Sequence, residues 1–217
     1  MSELERVIRQ RRSTRMFLPH QPVPQELVYE ALDLAVRAPS NSNIQPWHTV
    51  FATGAARDRL VTALLAEARS KPPEIPPLPE GFAHLRRELG AQLYGSMGIA
   101  REDTDGRRAA GLRNWEFFRA PLAGIVCMHR DLDYVDALGV GMFIQTLLLA
   151  LTARGLGTCV QVSIAGYPEV VREQLKISDD MRILCGLAIG YPDPSFPGNA
   201  IHVPRNPVES NVVFVDP

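Results

Sequence analysis

What this sequence has little of narrows it first. No Gly-rich Walker loop precedes a Lys-Ser/Thr pair, and no Gly-x-Gly-x-x-Gly stands between a strand and a helix, so the common nucleotide cradles are excluded. The run Gly155-Leu156-Gly157-Thr158 reads more simply as a helix stop followed by a turn. Cysteine is scarce, and Cys127, Cys159 and Cys185 each sit inside an apolar, strand-like stretch, which excludes a disulfide framework and suits small buried hydrophobes. No Cys-His spacing suggests zinc, and the five histidines show no mutual spacing, so no metal site is expected.

An excess of one charge is missing too. With 23 basic and 24 acidic residues and a formal net charge of -1, there is no electrostatic case for nucleic acid or an anionic membrane surface. Met1 leads straight into a polar, charged segment without the apolar core of a secretory signal, and the expectation is a cytoplasmic protein. The long apolar run at residues 137–153 is short for a membrane span and carries Gln145, Thr146 and Thr152. A buried central helix is expected there, with Gly139 and Gly141 open to a close neighbour in a core or at a subunit interface.

The elements that are present alternate. Residues 3–12 suit a short amphipathic helix with Leu4, Val7 and Ile8 inward, and Leu27, Ala31, Leu34 and Ala35 recur at helical spacing in a second helix that ends before Pro39. A strand follows at residues 47–53, then a third helix at 55–70. Residues 71–81 hold five prolines and exclude a regular element, and residues 82–118 are helix-like but less periodic. The region of about residues 70–118 reads as a flap. Beyond it come a buried strand at 122–130, the long helix ending near Arg154, a strand at 158–164, a helix at 168–175 and a last central strand at 181–191. The tail from about residue 192 is rich in proline, with a strand-like Val212-Val213-Phe214-Val215 near its end. Two leading helices and about four strands fit a doubly wound parallel sheet poorly, so an α+β sandwich in one domain of residues 1–217 is expected.

Two clusters carry chemistry. Residues 8–15 hold Arg9, Arg11, Arg12 and Arg15 with Ser13 and Thr14. They fit either the cationic last turn of a helix or a set of guanidinium forks and hydroxyls converging on a phosphate. Residues 38–47 place Pro39, Ser40, Asn41, Ser42, Asn43 and Gln45 in one loop. That loop is either a polar turn or a rim of short donors and acceptors for a planar heterocycle.

Arg11-Arg12-Ser13-Thr14-Arg15 followed by Pro39-Ser40-Asn41-Ser42-Asn43-Ile44-Gln45-Pro46-Trp47 resembles the paired signature of the FMN-dependent nitroreductase family. The resemblance continues through residues 155–175 and 187–209 and leaves about residues 55–115 poorly matched. It implies an α/β sandwich with a central, mainly antiparallel sheet flanked by helices, in a domain-swapped homodimer. It implies that Arg11, Ser13 and Arg15, with Arg12 and Thr14 alongside, hold the FMN phosphate, ribityl chain and pyrimidine edge. Pro39, Ser40, Asn41 and Asn43 would reach the same flavin from the second subunit, Ser163, Ile164, Ala165 and Gly166 would pass its N5 side, and Arg205 would return to the phosphate. Many members carry Glu-Gly where this chain has Ala165-Gly166, which removes a carboxylate from beside the nicotinamide.

The implied activity is transfer of hydride from NAD(P)H to FMN and then of electrons to a nitroaromatic or quinone, by a ping-pong mechanism with no catalytic side chain, since the flavin carries the chemistry. Trp115, Phe117 and Phe118 are candidates to stack on the aromatic acceptor, or equally to pack a core. Two alternatives remain at this point: reductive dehalogenation or other flavin chemistry on the same fold, and a protein that binds FMN without turnover.

Overall fold

The computed structural model describes residues 1–215. Four strands, β1 (His48–Thr53), β2 (Leu122–His129), β3 (Gly157–Gln161) and β4 (Met181–Gly190), form one sheet in the order β1-β2-β4-β3, every neighbouring pair antiparallel. Helix α1 (Glu3–Gln10) opens the chain, and α2 (Gln25–Ala35) and α6 (Tyr134–Ala153) cover one face of the sheet. The other face carries α3 (Gly54–Ser70) and α7 (Pro168–Leu175). The helices α4 (Ala83–Ser96) and α5 (Thr104–Leu112) lie in the excursion between α3 and β2.

Period-two geometry explains why β2 reads as an unbroken apolar run: both of its faces are covered. Ala123, Ile125 and Cys127 join Leu60, Leu64 and Val171 on one side, while Leu122 packs with Phe143, Leu147 and Leu151 on the other. Burying each large side chain of this kind stabilises the fold by about 1.5–3 kcal/mol. All three cysteines are buried and free, as expected of small hydrophobes in strands.

Several expectations are corrected. The first helix stops at Gln10, and of its apolar residues only Val7 is buried, because Leu4 and Ile8 point away from the chain's own core. Leu34 of α2 is exposed as well. The third strand ends at Gln161, where the backbone tightens into a single 3-10 turn, Val162–Gly166, that puts Ile164 under β4. Residues 212–215 form no strand, since no strand of this chain lies beside them, and Phe214 is 87% exposed. The long helix is only half a core element: Phe143, Leu147 and Leu151 are buried, while Tyr134, Leu138 and Met142 lie open along another stripe. Gly139 receives the loop of residues 39–47 instead of another helix, since a Cβ there would stand 3.1 Å from that of Ser40.

Phe117, Phe118 and Arg119 form a left-handed turn, with φ of 51°, 52° and 64°, just before β2. Left-handed backbone costs an L-residue roughly 1–2 kcal/mol, so tertiary contacts must hold this turn. Arg57 of α3 supplies them by donating to the carbonyls of Ala120 (3.1 Å) and Glu116 (2.8 Å), and both phenyl rings are driven into the core.

Candidate active site

After α1 the chain runs extended past the end of the sheet. Thr14 N donates to Thr158 O at 2.9 Å, Leu18 N to Tyr191 O at 3.0 Å, and Phe17 bridges to Pro192. Thr14 is buried against Gly157, where a Cβ would fall 2.6 Å from the Thr14 hydroxyl, so only glycine admits this approach. With Thr14 inward, Ser13 and Arg15 take the alternate positions of the extended segment.

The tail then returns to the same place. Arg11, Arg12, Ser13 and Arg15 share a cleft of about 1010 Å³ with Arg205, and Arg9, His202 and Gln145 add to its wall. None of these arginines forms a salt bridge among the described residues. The Cys159 thiol beside them adds no negative charge: burial pushes it up to about 11, against the pull of Arg15, Ser13 and Arg11. Uncompensated cations with hydroxyls among them make a receptor for a phosphate.

Asn199, which no motif had singled out, joins the two ends of the chain. Its Oδ1 accepts from Arg15 N at 2.8 Å, its Nδ2 donates to Met16 O at 2.8 Å and Asp193 O at 3.0 Å, and its own carbonyl accepts from the Arg12 guanidinium at 3.3 Å. Gln145 was missed as well. Its only signal was a long amide inside an apolar helix.

The turn holding Ser163, Ile164, Ala165 and Gly166 is pinned by the proline-rich segment: Glu74 N donates to Gly166 O at 2.9 Å and Tyr167 Oη to Lys71 O at 2.6 Å. Close by, Gln161 Nε2 donates to Asn114 O at 2.6 Å. Ser163 Oγ, Gln161 Oε1 and Trp115 Nε1 are buried without a hydrogen-bond partner among the described residues. Such atoms are costly unless something polar meets them. None of these three residues lines the arginine cleft, whose unpaired cations fit a flavin phosphate.

The loop of residues 39–47 does not line this cleft. Pro46 is buried, Trp47 stacks on Phe143 with centroids 5.0 Å apart, and the Ser40 hydroxyl accepts from Gln45 N, so Pro39, Asn41 and Asn43 face outward near the start of α6. Of the two readings of the aromatic residues, the core is where the two phenylalanines sit. Phe117 is 0% and Phe118 5% exposed, both packed in the core by the left-handed turn, with Phe118 also lining a small recess beside Arg15. Trp115 is partly buried and tilted against Tyr167.

Residues 8–191 match the model of the nitroreductase family. The chain belongs to this family. A nitrobenzene nitroreductase of Ectopseudomonas oleovorans is 37% identical over 220 residues, covering 98% of this chain and 96% of that protein. Among solved structures, the FMN and NADPH-dependent nitroreductase NfnB of Sphigopyxis sp. strain HMH superposes with a TM-score of 0.94 at 31% identity, covering 99% of this chain and all of that one. The FMN-dependent NfnB of Mycobacterium smegmatis, solved with NADPH, gives 0.90 at 34%, covering 98% and 97%. This nitroreductase therefore shares its fold with them end to end.

Proposed function

We propose that the chain is an FMN-dependent oxidoreductase that draws hydride from NAD(P)H and reduces nitroaromatic or quinone acceptors by a ping-pong mechanism. The observation that carries this reading is the cleft in which Arg11, Arg12, Arg15 and Arg205 converge with no carboxylate paired to any of them among the described residues. Of the two solved relatives, one is NADPH-dependent and the other was solved in complex with NADPH.

Bound in this cleft, FMN supplies the redox chemistry, taking hydride and passing electrons on. Arg11, Arg12 and Arg205 would hold the phosphate, Ser13 and Thr14 order the segment that carries them, and Arg15 would offer the pyrimidine side preorganised positive charge that favours the charge arriving on reduction. The turn of Ser163, Ile164, Ala165 and Gly166 offers backbone groups and the Ser163 hydroxyl to the ring. Ala165 brings no carboxylate, so donor binding relies on shape and on the cleft's arginines. No side chain of the chain acts as nucleophile or proton relay.

Steady-state kinetics with NADPH and a nitroaromatic should give parallel double-reciprocal lines. Intersecting lines would require both substrates at once and end the shared-face mechanism. In stopped flow, the reduced protein mixed with nitro compounds, quinones and halotyrosines should be reoxidised by the first two. Reoxidation by a halotyrosine alone would replace this reading with dehalogenation, and reoxidation by none with a binding protein.

The functional unit is a homodimer acting in the cytoplasm. Tyr134, Leu138 and Met142 of α6 and Leu4 and Ile8 of α1 expose apolar surface that a second copy would cover, and the outward Pro39, Asn41 and Asn43, with the half-buried Ser40 between them, would then meet the partner's flavin. The exposed residues 212–215 support an exchange of C-terminal segments. An obligate interface of this kind buries more than about 2,000 Å². Leu138→Glu is expected to raise the dimer dissociation constant at least about tenfold, which is about 1.4 kcal/mol. Sedimentation showing a flavin-loaded monomer in the unmodified protein would refute the dimer.

A further inference from the structure

We propose that Arg9 selects NADPH over NADH by receiving the 2′-phosphate of the donor at the rim of the arginine cleft. This rests on the FMN reading above and names the donor of that same site. Arg9 lies in the last turn of α1, is exposed, and lines the cleft together with Arg11, Arg12, Arg15 and Arg205. Helix α1 holds two carboxylates, and both are engaged elsewhere. Glu5, four residues before Arg9, stands where a helical ion pair is favourable, but its carboxylate accepts from Ser2 N to close the capping box, and Glu3 is taken by Arg6. Arg9 forms no salt bridge among the described residues. A cation that only complemented the end of the helix dipole would serve as well in open water, whereas this one lines the cleft.

Charge decides what the cleft still needs. No Asp or Glu lines it, so its five arginines are uncompensated, and a phosphate monoester carries about −1.5 to −2 at pH 7. FMN brings one such group and leaves about three of the five unmet, one of them Arg15 beside the ring. A second phosphate monoester would match the other two. The 2′-phosphate is such a group and is the only difference between NADPH and NADH, and the guanidinium fork suits it through paired, charge-assisted hydrogen bonds. Position agrees. The nicotinamide must lie on the ring to deliver hydride, and two riboses and a pyrophosphate separate it from the 2′-phosphate, so that phosphate falls well away from the ring. Along the chain, Arg9 stands at the opposite end of the motif from Arg15.

The test uses the full chain loaded with FMN and compares the unmodified protein with Arg9→Gln and Arg9→Lys. In isothermal titration of the oxidised protein with NADP+ and with NAD+, Arg9→Gln should shift the ratio of the two dissociation constants at least about tenfold toward NAD+, the loss expected when one hydrogen bond to a charged group goes. The same shift should appear in kcat/KM for NADPH against NADH. Arg9→Lys, which keeps the charge but not the fork, should fall between. An unchanged ratio in a flavin-loaded Arg9→Gln protein would overturn the proposal. If that unchanged ratio came with weaker FMN binding, Arg9 would belong to the FMN phosphate instead, and if it came with a loss for 4-nitrobenzoate and none for nitrobenzene, to an acceptor carboxylate. The unmodified protein supplies a readout that needs no variant: NADP+ should inhibit at least about tenfold more strongly than NAD+, and equal inhibition would equally overturn the assignment. An unmodified chain that takes up no FMN would instead bring down the FMN reading itself.

Discussion

Arg15→Ala is expected to yield a folded protein that sheds FMN on gel filtration. Truncating one partner of a close charged pair costs roughly 2–5 kcal/mol, so the FMN dissociation constant should rise between about thirtyfold and several thousandfold. The fold should survive, because what ties this position to the chain is its backbone: Arg15 N donates to Asn199 whatever the side chain, while the guanidinium makes only a 3.3 Å contact to Ser13 O. Arg15→Lys should fall between the two, keeping charge but losing the planar fork. Fluorescence titration of the apoprotein with FMN measures all three. A dissociation constant for Arg15→Ala within threefold of the unmodified value would mean that Arg15 does not meet the flavin.

Asn199→Ala should destabilise the protein by about 3 kcal/mol, because it leaves one backbone donor and two backbone carbonyls of a partly buried seam without partners, and unmet groups of this sort cost roughly 1–3 kcal/mol each. Asn199→Asp separates shape from chemistry. It retains an acceptor for Arg15 N but turns a carboxylate oxygen toward the carbonyls of Met16 and Asp193, so it should cost as much as the alanine. Urea denaturation with an unchanged slope reports the loss directly. A difference under about 0.5 kcal/mol, the range of ordinary surface substitutions, would show that the seam is held by other contacts.

What could be read from the residues follows the range of the forces involved. Strand β2 and helix α7 were legible because continuous apolar burial and an N-terminal proline are local signals, and the five prolines of residues 71–81 exclude regular structure wherever they lie. The arginine motif was legible as a cluster, but its meeting with Arg205 is a tertiary fact. Asn199 was invisible because an asparagine in a Pro-Gly-Asn turn looks like any turn residue until its amide is seen to bridge segments far apart in the chain. Phe117 and Phe118 could be read equally as stacking rings or as core because a left-handed turn of non-glycine residues has no propensity signature: it exists only where Arg57 and the core enforce it. Leu4, Ile8 and the tail's Val213 and Phe214 were read as inward or paired, yet one chain provides no surface for them.

The seam closed by Asn199 also sets an order of events during synthesis. Arg11 and Arg15 emerge among the first residues of the chain, but the turn that positions them and the arginine opposite them lie near its end. At translation rates of about 5–20 residues per second, the N-terminal motif waits roughly ten to forty seconds for its counterpart. The sheet can pair earlier, since β4 ends at Gly190. Cofactor loading is therefore one of the last steps in this protein's maturation, since the N-terminal arginines cannot meet their counterpart until the turn at Asn199 and the tail beyond it have been made.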